Sequence, residues 1–153
     1  MKTHSGKKGP GMPVVRNQQF NFKEGFCWTD INSTYLKARL KGKGIFDVVS
    51  MSLFSKTNIP DWFYVVIINS SFMSLYVDNF INNTSHFQIN DARQVPIIIP
   101  SEEQLFRAKR LFYNAFEIKR KQLRNELPYD ESLILLSDIE ASVESLVRRI
   151  YKI

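Results

Sequence analysis

The sequence has one cysteine and two histidines among 153 residues, and these small numbers exclude several classes of protein. Cys27 has no second cysteine to pair with, so an intrachain disulfide is excluded and a reducing compartment is expected. A zinc site built from Cys and His is excluded unless carboxylates contribute, because too few of the usual ligands are present. We therefore expect no metal in this chain.

Long hydrophobic runs are lacking as well. The longest apolar block, Trp62 to Ile68, is far shorter than the roughly 20 residues needed to cross a bilayer. The N-terminal segment MKTHSGKKGPGMPVV contains no apolar stretch of the kind found in signal peptides. We expect a cytoplasmic protein with no membrane contact.

The motifs of catalysis are lacking too. The acidic residues form no cluster resembling the Asp…Glu-x-Lys set of a nuclease, and no glycine-rich loop for S-adenosylmethionine follows a predicted strand. The segment GKKGPG lacks the Gly-Lys-Ser/Thr ending of a phosphate-binding loop. A nucleophilic pair of Cys27 and His86 is conceivable, but no pattern brings the two residues together. We expect that the chain is not an enzyme by itself and that it holds no cofactor.

What the sequence does contain is a hydrophobic, aromatic and basic composition. Hydrophobic residues make up 44% and aromatic residues 13%, which favours a folded domain over disorder. The formal net charge is +6, and residues 1–56 carry ten Lys or Arg against three acidic residues. This balance favours an acidic partner, of which nucleic acid is the commonest.

The hydrophobic pattern divides the chain into three parts. Residues 1–13 consist largely of Gly, Lys and Pro and are expected to be a flexible basic tail. Residues 14–100 begin with the period-two alternation of strands, whereas residues 101–153 show the three-four spacing of helices. We expect an α/β fold in which a small domain with a mixed sheet precedes an antiparallel two-helix hairpin.

Two aromatic pairs in the first half have strand spacing. Phe20 and Phe22, then Phe26 and Trp28, lie two residues apart on either side of Gly25, so each pair would share one face of a strand. We expect these aromatic residues to lie in the core. The alternative is that some of them stack on the bases of single-stranded nucleic acid.

A stripe of cations follows these pairs. It alternates with small or apolar residues, so a strand would place all of its charges on one face. Its members are Lys37, Arg39, Lys41 and Lys43. Either the stripe contacts phosphates or it protects a solvated edge strand from pairing. Gly42 and Gly44 would let the chain turn sharply or approach another backbone closely.

The middle of the chain mixes helix and strand signals. Asn58 and Pro60 are typical of a helix start. The apolar run that follows them is long enough for a helix but rich in β-branched residues, which favour strands. Beyond it, residues 87–89 and 95–99 are expected to be short strands, and Pro100 ends the second.

The C-terminal third opens with a strong helix signal. Ser101 and Gln104 have the spacing of a capping box, and apolar residues repeat at three-four spacing after them. Six cations lie on the opposite face of this helix, which either is solvated or lies along DNA. They are Arg107, Lys109, Arg110, Arg120, Lys121 and Arg124.

A second long helix is predicted after a break at Leu127-Pro128. It begins near Asp130, and its apolar residues are spaced like a coiled-coil seam as far as Ile153. Two such helices joined by a short proline turn should form an antiparallel hairpin. Packing within the chain explains the seam most simply, but helices 101–126 and 130–153 could also form a dimer.

A polar, Asn-rich segment lies between the two halves of the chain. Its uncharged side chains can donate and accept hydrogen bonds, as side chains that read base edges in DNA must. The alternative is an ordinary turn held by Asx hydrogen bonds. The base-reading candidates are Asn82, Asn83, Thr84, Ser85, Gln88 and Asn90.

The order of these motifs resembles a known family. The run INSSFMSLYVDNFINNTSHFQINDARQVPIIIPSEEQL is similar to the C-terminal specificity domain of TaqI-like, type IIG restriction–modification enzymes. There an Asn-Ser helix leads to an Asn-Thr…Phe-Gln loop, a Pro-Ile strand and a helix that starts beside a proline. A looser version of this order occurs in type I restriction specificity subunits. Upstream, NFKEGFCWTDIN and KGKGIFDVVSMSLFS resemble the earlier part of the same domain.

The resemblance implies recognition of a double-stranded DNA target rather than catalysis. It also implies that the apolar run forms two helices separated near Asn69-Ser70. The chain would be a fragment or subunit of a DNA adenine methyltransferase or type II restriction enzyme. The methyltransferase or endonuclease module, on the same or another polypeptide, would bind S-adenosylmethionine and Mg²⁺.

The phosphate-contact candidates under this hypothesis are cations of the first hundred residues. They are Lys23, Lys37, Arg39, Lys41, Lys43, Lys56 and Arg93. The alternative from another class is a non-catalytic protein-interaction module that oligomerises through its helical hairpin, with its positive charge incidental.

Overall fold

The computed structural model describes residues 17–32, 35–45 and 50–153. A short 3-10 helix (Gln18–Phe20) precedes the strands β1 (Gly25–Thr29), β2 (Ala38–Lys41) and β3 (Ser50–Leu53). The helices α1 (Asp61–Ile68), α2 (Ser71–Phe80), α3 (Ile89–Ala92), α4 (Glu102–Leu123) and α5 (Tyr129–Tyr151) follow. The expected α/β fold class with a C-terminal helical hairpin is confirmed.

The sheet has the order β2-β1-β3, and both of its strand pairs are antiparallel. The sequence predicts a mixed sheet, but parallel strands need a long crossover connection, and no helix lies between the described strands. Side chains alternate across β1, so Phe26 and Trp28 share one face. Cys27 lies on the other face, opposite Arg39 of β2 and Ser52 of β3.

The predicted strand around Phe20 and Phe22 is wrong. Phe20 ends the 3-10 helix, and Phe22 has a left-handed backbone with φ 60. Alternating aromatic residues make a strand only where a partner strand accepts their hydrogen bonds. In the described part of the chain, such pairing begins at Gly25.

The two short strands predicted at residues 87–89 and 95–99 are wrong as well. Residue 89 begins α3, and residues 95–99 have no partner strand within the described ranges. An isolated bridge joins His86 to Ile31 instead. Pro96 and Pro100 lack backbone N–H groups, so this segment is poorly suited to a strand ladder.

The ambiguous apolar run forms two helices that separate at Asn69 and Ser70, as the resemblance implies. Pro60 rather than Asn58 is the N-cap residue of α1, while Ser70 caps α2 by accepting a hydrogen bond from the Met73 N–H. Burial on several sides of α1 explains why β-branched residues are tolerated in a helix there.

Asn69 also covers part of the outer edge of β2. Its side chain accepts a hydrogen bond from the Ala38 N–H (2.6 Å) and donates one to the Ala38 carbonyl (2.9 Å). The Ser74 hydroxyl accepts a further bond from the Leu36 N–H (3.1 Å). These contacts hold the turn between α1 and α2 against the sheet.

The hairpin of α4 and α5 shares the core with the sheet. Ser101 and Gln104 form the expected capping box, and α5 begins directly after Pro128. Tyr151, at the end of α5, donates a hydrogen bond to the Pro96 carbonyl shortly before α4, so the helices are antiparallel. Burial raises the pKa of the Tyr151 hydroxyl to about 12, which keeps it protonated as a donor.

One hydrophobic cluster joins both parts of the chain. Its buried residues include Trp28 of the sheet, Phe63 of α1, and Ala108 and Leu146 of the hairpin. Within the described residues, no helix combines the length and apolar character needed to cross a membrane.

The central strand passes very close to β3 at Gly25. A Cβ atom there would lie 2.5 Å from the Leu53 carbonyl oxygen and 2.9 Å from the Phe54 ring. Gly42 and Gly44 differ, because a Cβ at either would meet nothing within 4 Å and neither has a left-handed φ. Space and backbone conformation therefore do not require glycine at either position among the described residues, although the chain bends between them and the Gly44 carbonyl accepts a hydrogen bond from the Phe22 N–H (3.0 Å).

We expect Gly25→Ala to lower the free energy of unfolding by about 1–3 kcal/mol, because the added methyl group has no space without a shift of β3. Gly42→Ala is the matched control and should change it by less than about 0.5 kcal/mol. Urea unfolding followed by circular dichroism measures both. Equal effects of the two substitutions would contradict the close packing at Gly25.

Candidate nucleic-acid interface

The polar loop, which we define as residues 82–90, is held together by its own hydrogen bonds. The Asn82 side chain donates to the His86 carbonyl (2.8 Å) and to Asp91 Oδ2 (3.0 Å), and it accepts from the Thr84 N–H (2.9 Å). The Thr84 hydroxyl accepts from the His86 N–H (3.3 Å). These contacts are the Asx-type turn that was the alternative to base reading.

The polar loop is also attached firmly to the end of β1. The Phe87 N–H donates to the Asp30 carbonyl and the Asn32 N–H to the Ser85 carbonyl, both at 2.8 Å. His86 Nδ1 lies 3.0 Å from Asp30 Oδ2. The polar loop therefore has a fixed position at the Thr29 end of the sheet.

The remaining base-reading candidates differ in how far their side chains are engaged. The Asn90 side-chain carbonyl accepts a bond from Arg93 (3.3 Å), and Gln88 is the exposed N-cap residue of α3. Asn83 and Ser85 are exposed, and their side chains have no hydrogen-bond partner among the described residues. Asn83 and Ser85 are thus the most available of the six.

The cation stripe likewise contains both engaged and exposed side chains. Lys41 Nζ donates to the carbonyls of Lys23 (2.7 Å), Gly42 (3.1 Å) and Gly44 (2.9 Å). An ammonium group has three N–H donors, so these carbonyls occupy all of them. Lys41 thus has a structural role that its spacing in the sequence did not reveal.

Three of the phosphate-contact candidates lie in the chain segments next to the Gly25 end of the sheet, and we call them the basic end. Strand β2 ends at Lys41, opposite Gly25, and β3 ends at Leu53, opposite Phe26. The chain therefore leaves the sheet at this end both times, towards Lys43 and towards Lys56. Lys23 precedes β1 at the same end, and all three side chains are exposed. The basic end consists of Lys23, Lys43 and Lys56.

The other candidates lie elsewhere. Arg39 lies opposite Cys27 in the middle of the sheet, and its guanidinium donates to the Thr29 hydroxyl (3.2 Å). Lys37 is exposed at the rim of a cavity of about 640 Å³ between β2, α1 and the hairpin. Arg93 follows α3 beside Asn90. The seven candidates therefore do not form one cluster.

The cations of α4 are exposed, and several have local partners. Arg120 pairs with Glu117, Arg124 with Glu126, and Lys119 donates to Gln122. Two of the six predicted cations, Arg120 within α4 and Arg124 at its C-cap, are thus paired locally, as is common on a solvated helix face.

Cys27 and His86, the conceivable nucleophilic pair, lie in different environments. Cys27 is buried within the sheet, whereas His86 contacts Asp30 at its end. No group of three or more His, Cys, Asp and Glu side chains lies close enough to hold a metal ion in the described part of the chain.

No protein-family model matches the sequence, and no curated protein matches it.

Three interactions that position the polar loop are not predicted from the sequence. Asp30 and Asp91 position the polar loop, and Trp28 donates its indole N–H to the Phe87 carbonyl (2.8 Å) across 59 positions of sequence. For Asp91 a signal existed, because it lies three residues after the N-cap Gln88. For Asp30 no local pattern marks a partner so far along the chain.

We expect Asn82→Ala to lower the free energy of unfolding by about 1–3 kcal/mol, because three hydrogen bonds that hold the polar loop are lost, of which the bond to Asp91 is partly buried. Asn83→Ala is the matched control and should leave it unchanged within about 0.5 kcal/mol. Urea unfolding measures the difference. Equal stability of the two variants would show that the Asn82 network does not hold the polar loop.

Proposed function

We propose that this chain is a DNA target-recognition domain that directs a methyltransferase or endonuclease module to its site. The observation that carries the proposal is the placement of two complementary surfaces on one sheet. The exposed residues of the basic end lie in the chain segments next to the Gly25 end of β1, and the polar loop is bonded to the chain beyond its Thr29 end.

The distance between these surfaces suits duplex DNA. Four residue steps along β1 separate Gly25 from Thr29, which corresponds to about 14 Å at about 3.4 Å per residue. The major groove of B-DNA is about 12 Å wide. A duplex lying across the sheet could therefore place a backbone at the basic end and the edge of its groove at the polar loop.

The two surfaces would have different tasks. Lysines of the basic end would neutralise phosphates, which supplies affinity without sequence preference. Asn83 and Ser85 would contact base edges, because their side chains are exposed and not engaged in the loop. Asn82 and Thr84 would hold the polar loop in shape. The catalytic module would supply S-adenosylmethionine and metal chemistry.

We expect the triple variant Lys23→Ala, Lys43→Ala, Lys56→Ala to weaken duplex binding and to flatten its salt dependence. If each lysine neutralises one phosphate, the log–log slope should become shallower by about two to three units. Fluorescence anisotropy of a labelled duplex, titrated with the chain at several salt concentrations, measures the slope.

The matched control is the triple variant Lys109→Ala, Lys121→Ala, Lys152→Ala, which removes the same number of charges from α4 and from the end of α5. Its slope should stay close to that of the wild type, and equal flattening in both variants would contradict a defined basic end.

Selection from randomised duplexes tests sequence recognition itself. We expect the wild-type chain to enrich one sequence, and we expect Asn83→Ala to enrich a different one. Binding without any enrichment would contradict target recognition.

A second candidate function, self-association, is favoured by a different observation. The part of the hairpin far from the sheet exposes a series of large apolar side chains, of which Leu123 is 82% exposed. Others are Tyr129, Leu133, Ile134 and Leu135. Apolar residues concentrated in this way are typical of a surface that is covered by another chain, and we propose a second copy of the hairpin.

We expect the wild-type chain to show a concentration-dependent mass in sedimentation equilibrium. The double variant Leu123→Glu, Ile134→Glu should be monomeric, because burial of two carboxylates in an apolar interface is unfavourable. Ile99→Glu is the control, since Ile99 is 79% exposed outside the hairpin. A monomeric wild type at every concentration would exclude this candidate.

A further inference from the structure

Phe22 combines two features that are both unfavourable for folding. Its backbone is left-handed, with φ 60, a region that bulky side chains rarely adopt. Its side chain is also 63% exposed, so little burial of the ring compensates for the strain. Among the described residues, the other three non-glycine residues with positive φ are two asparagines and a lysine at a helix end. Phe22 is therefore the unusual member of this set.

The turn that carries Phe22 is held rigidly. The Phe22 N–H donates to the Gly44 carbonyl (3.0 Å), which ties residue 22 to the turn after β2. Lys41 Nζ bonds the carbonyls of both Lys23 and Gly44, so one ammonium group links the two turns. The Phe20 ring also stacks on Phe54, with 5.0 Å between ring centroids. Phe22 is presented on a fixed support rather than on a loose loop.

Apolar and positive side chains lie on the same two linked turns as Phe22. Ile45, next to the bonded Gly44, is exposed as well, and Lys23 and Lys43 carry exposed ammonium groups on the two linked turns. Glu24 is the acidic residue of the same turn. We call Phe22, Lys23, Lys43 and Ile45 the Phe22 platform.

An exposed aromatic ring beside two cations suits nucleic acid in which two neighbouring bases are no longer stacked on each other. Proteins that distort duplexes insert apolar side chains between bases, while neighbouring cations contact the phosphates. A ring held out on a rigid turn loses little further freedom when it stacks on a base. A strained residue that persists without a packing role is also typical of a functional position.

We propose that Phe22 is a wedge that stacks between bases at a distorted step of duplex DNA, with Lys23 and Lys43 at the flanking phosphates. This inference rests on the proposed DNA-binding function and adds a second mode of contact to it. Separating stacked bases costs free energy, so the wedge should favour a duplex in which one step is already open.

The test compares two duplexes with the same base pairs, one intact and one with a single extra, unpaired nucleotide that forms a bulge in one strand. Fluorescence anisotropy with the full chain should show at least about tenfold tighter binding to the bulged duplex, as expected for one stacked base. Phe22→Gly should reduce this preference to within about twofold, because its affinity for the bulged duplex should fall towards its affinity for the intact duplex.

Phe22→Gly has a second measurable property. Glycine adopts a left-handed φ without strain, so the urea midpoint of this variant should be equal to or higher than that of the wild type. A more stable protein that has lost its preference cannot be explained by misfolding. Phe80→Ala is the matched control, because Phe80 is 76% exposed at the end of α2. It should keep the preference for the bulged duplex.

The outcomes separate the wedge from the proposed function. Equal, salt-dependent binding of wild type to both duplexes would overturn the wedge while DNA binding stands. A preference that survives in Phe22→Gly, or that Phe80→Ala lowers equally, would overturn it too. No binding to either duplex would overturn the wedge and the proposed function together.

Discussion

A buried hydrogen bond from the Trp28 indole N–H to the Phe87 carbonyl determines how the sheet and the polar loop are placed. Trp28 is almost fully buried, and its ring packs against Phe26 and Phe87. A buried Trp needs an acceptor, since an unpaired N–H would cost about 1–3 kcal/mol. The loop must therefore bring its backbone to the core. The bond from the Phe87 N–H to the Asp30 carbonyl and the contact of His86 with the Asp30 carboxylate follow from that position.

The elements that the sequence predicted correctly are those whose signals are local. The capping box at Ser101 and the break at Pro128 depend on residues a few positions apart, so the bounds of α4 and the start of α5 could be found. Alternation within the strand from Gly25 to Thr29 was equally local. The division at Asn69-Ser70 came from the resemblance, and Ser70 is indeed a cap there.

The errors arose where a residue's role depends on a partner distant in the sequence. Phe22 has strand spacing, yet its N–H is bonded to Gly44 and not to a strand. Lys41 belongs to a charged stripe, yet carbonyls of two turns surround its ammonium group. The run before Pro100 is apolar like a strand, yet no strand of the described part of the chain pairs with it. No local pattern distinguishes these cases.

The polar loop shows why the site itself was only partly predictable. Asn and Thr form turns through the same hydrogen-bonding groups that read bases, so composition cannot separate the two roles. The structure engages Asn82 and Thr84 in the turn and leaves Asn83 and Ser85 exposed. Two side chains could supply about 2–6 kcal/mol of discrimination at about 1–3 kcal/mol each. Under the proposed function, a target longer than a few base pairs would therefore need contacts from a second module or from distortion of the duplex.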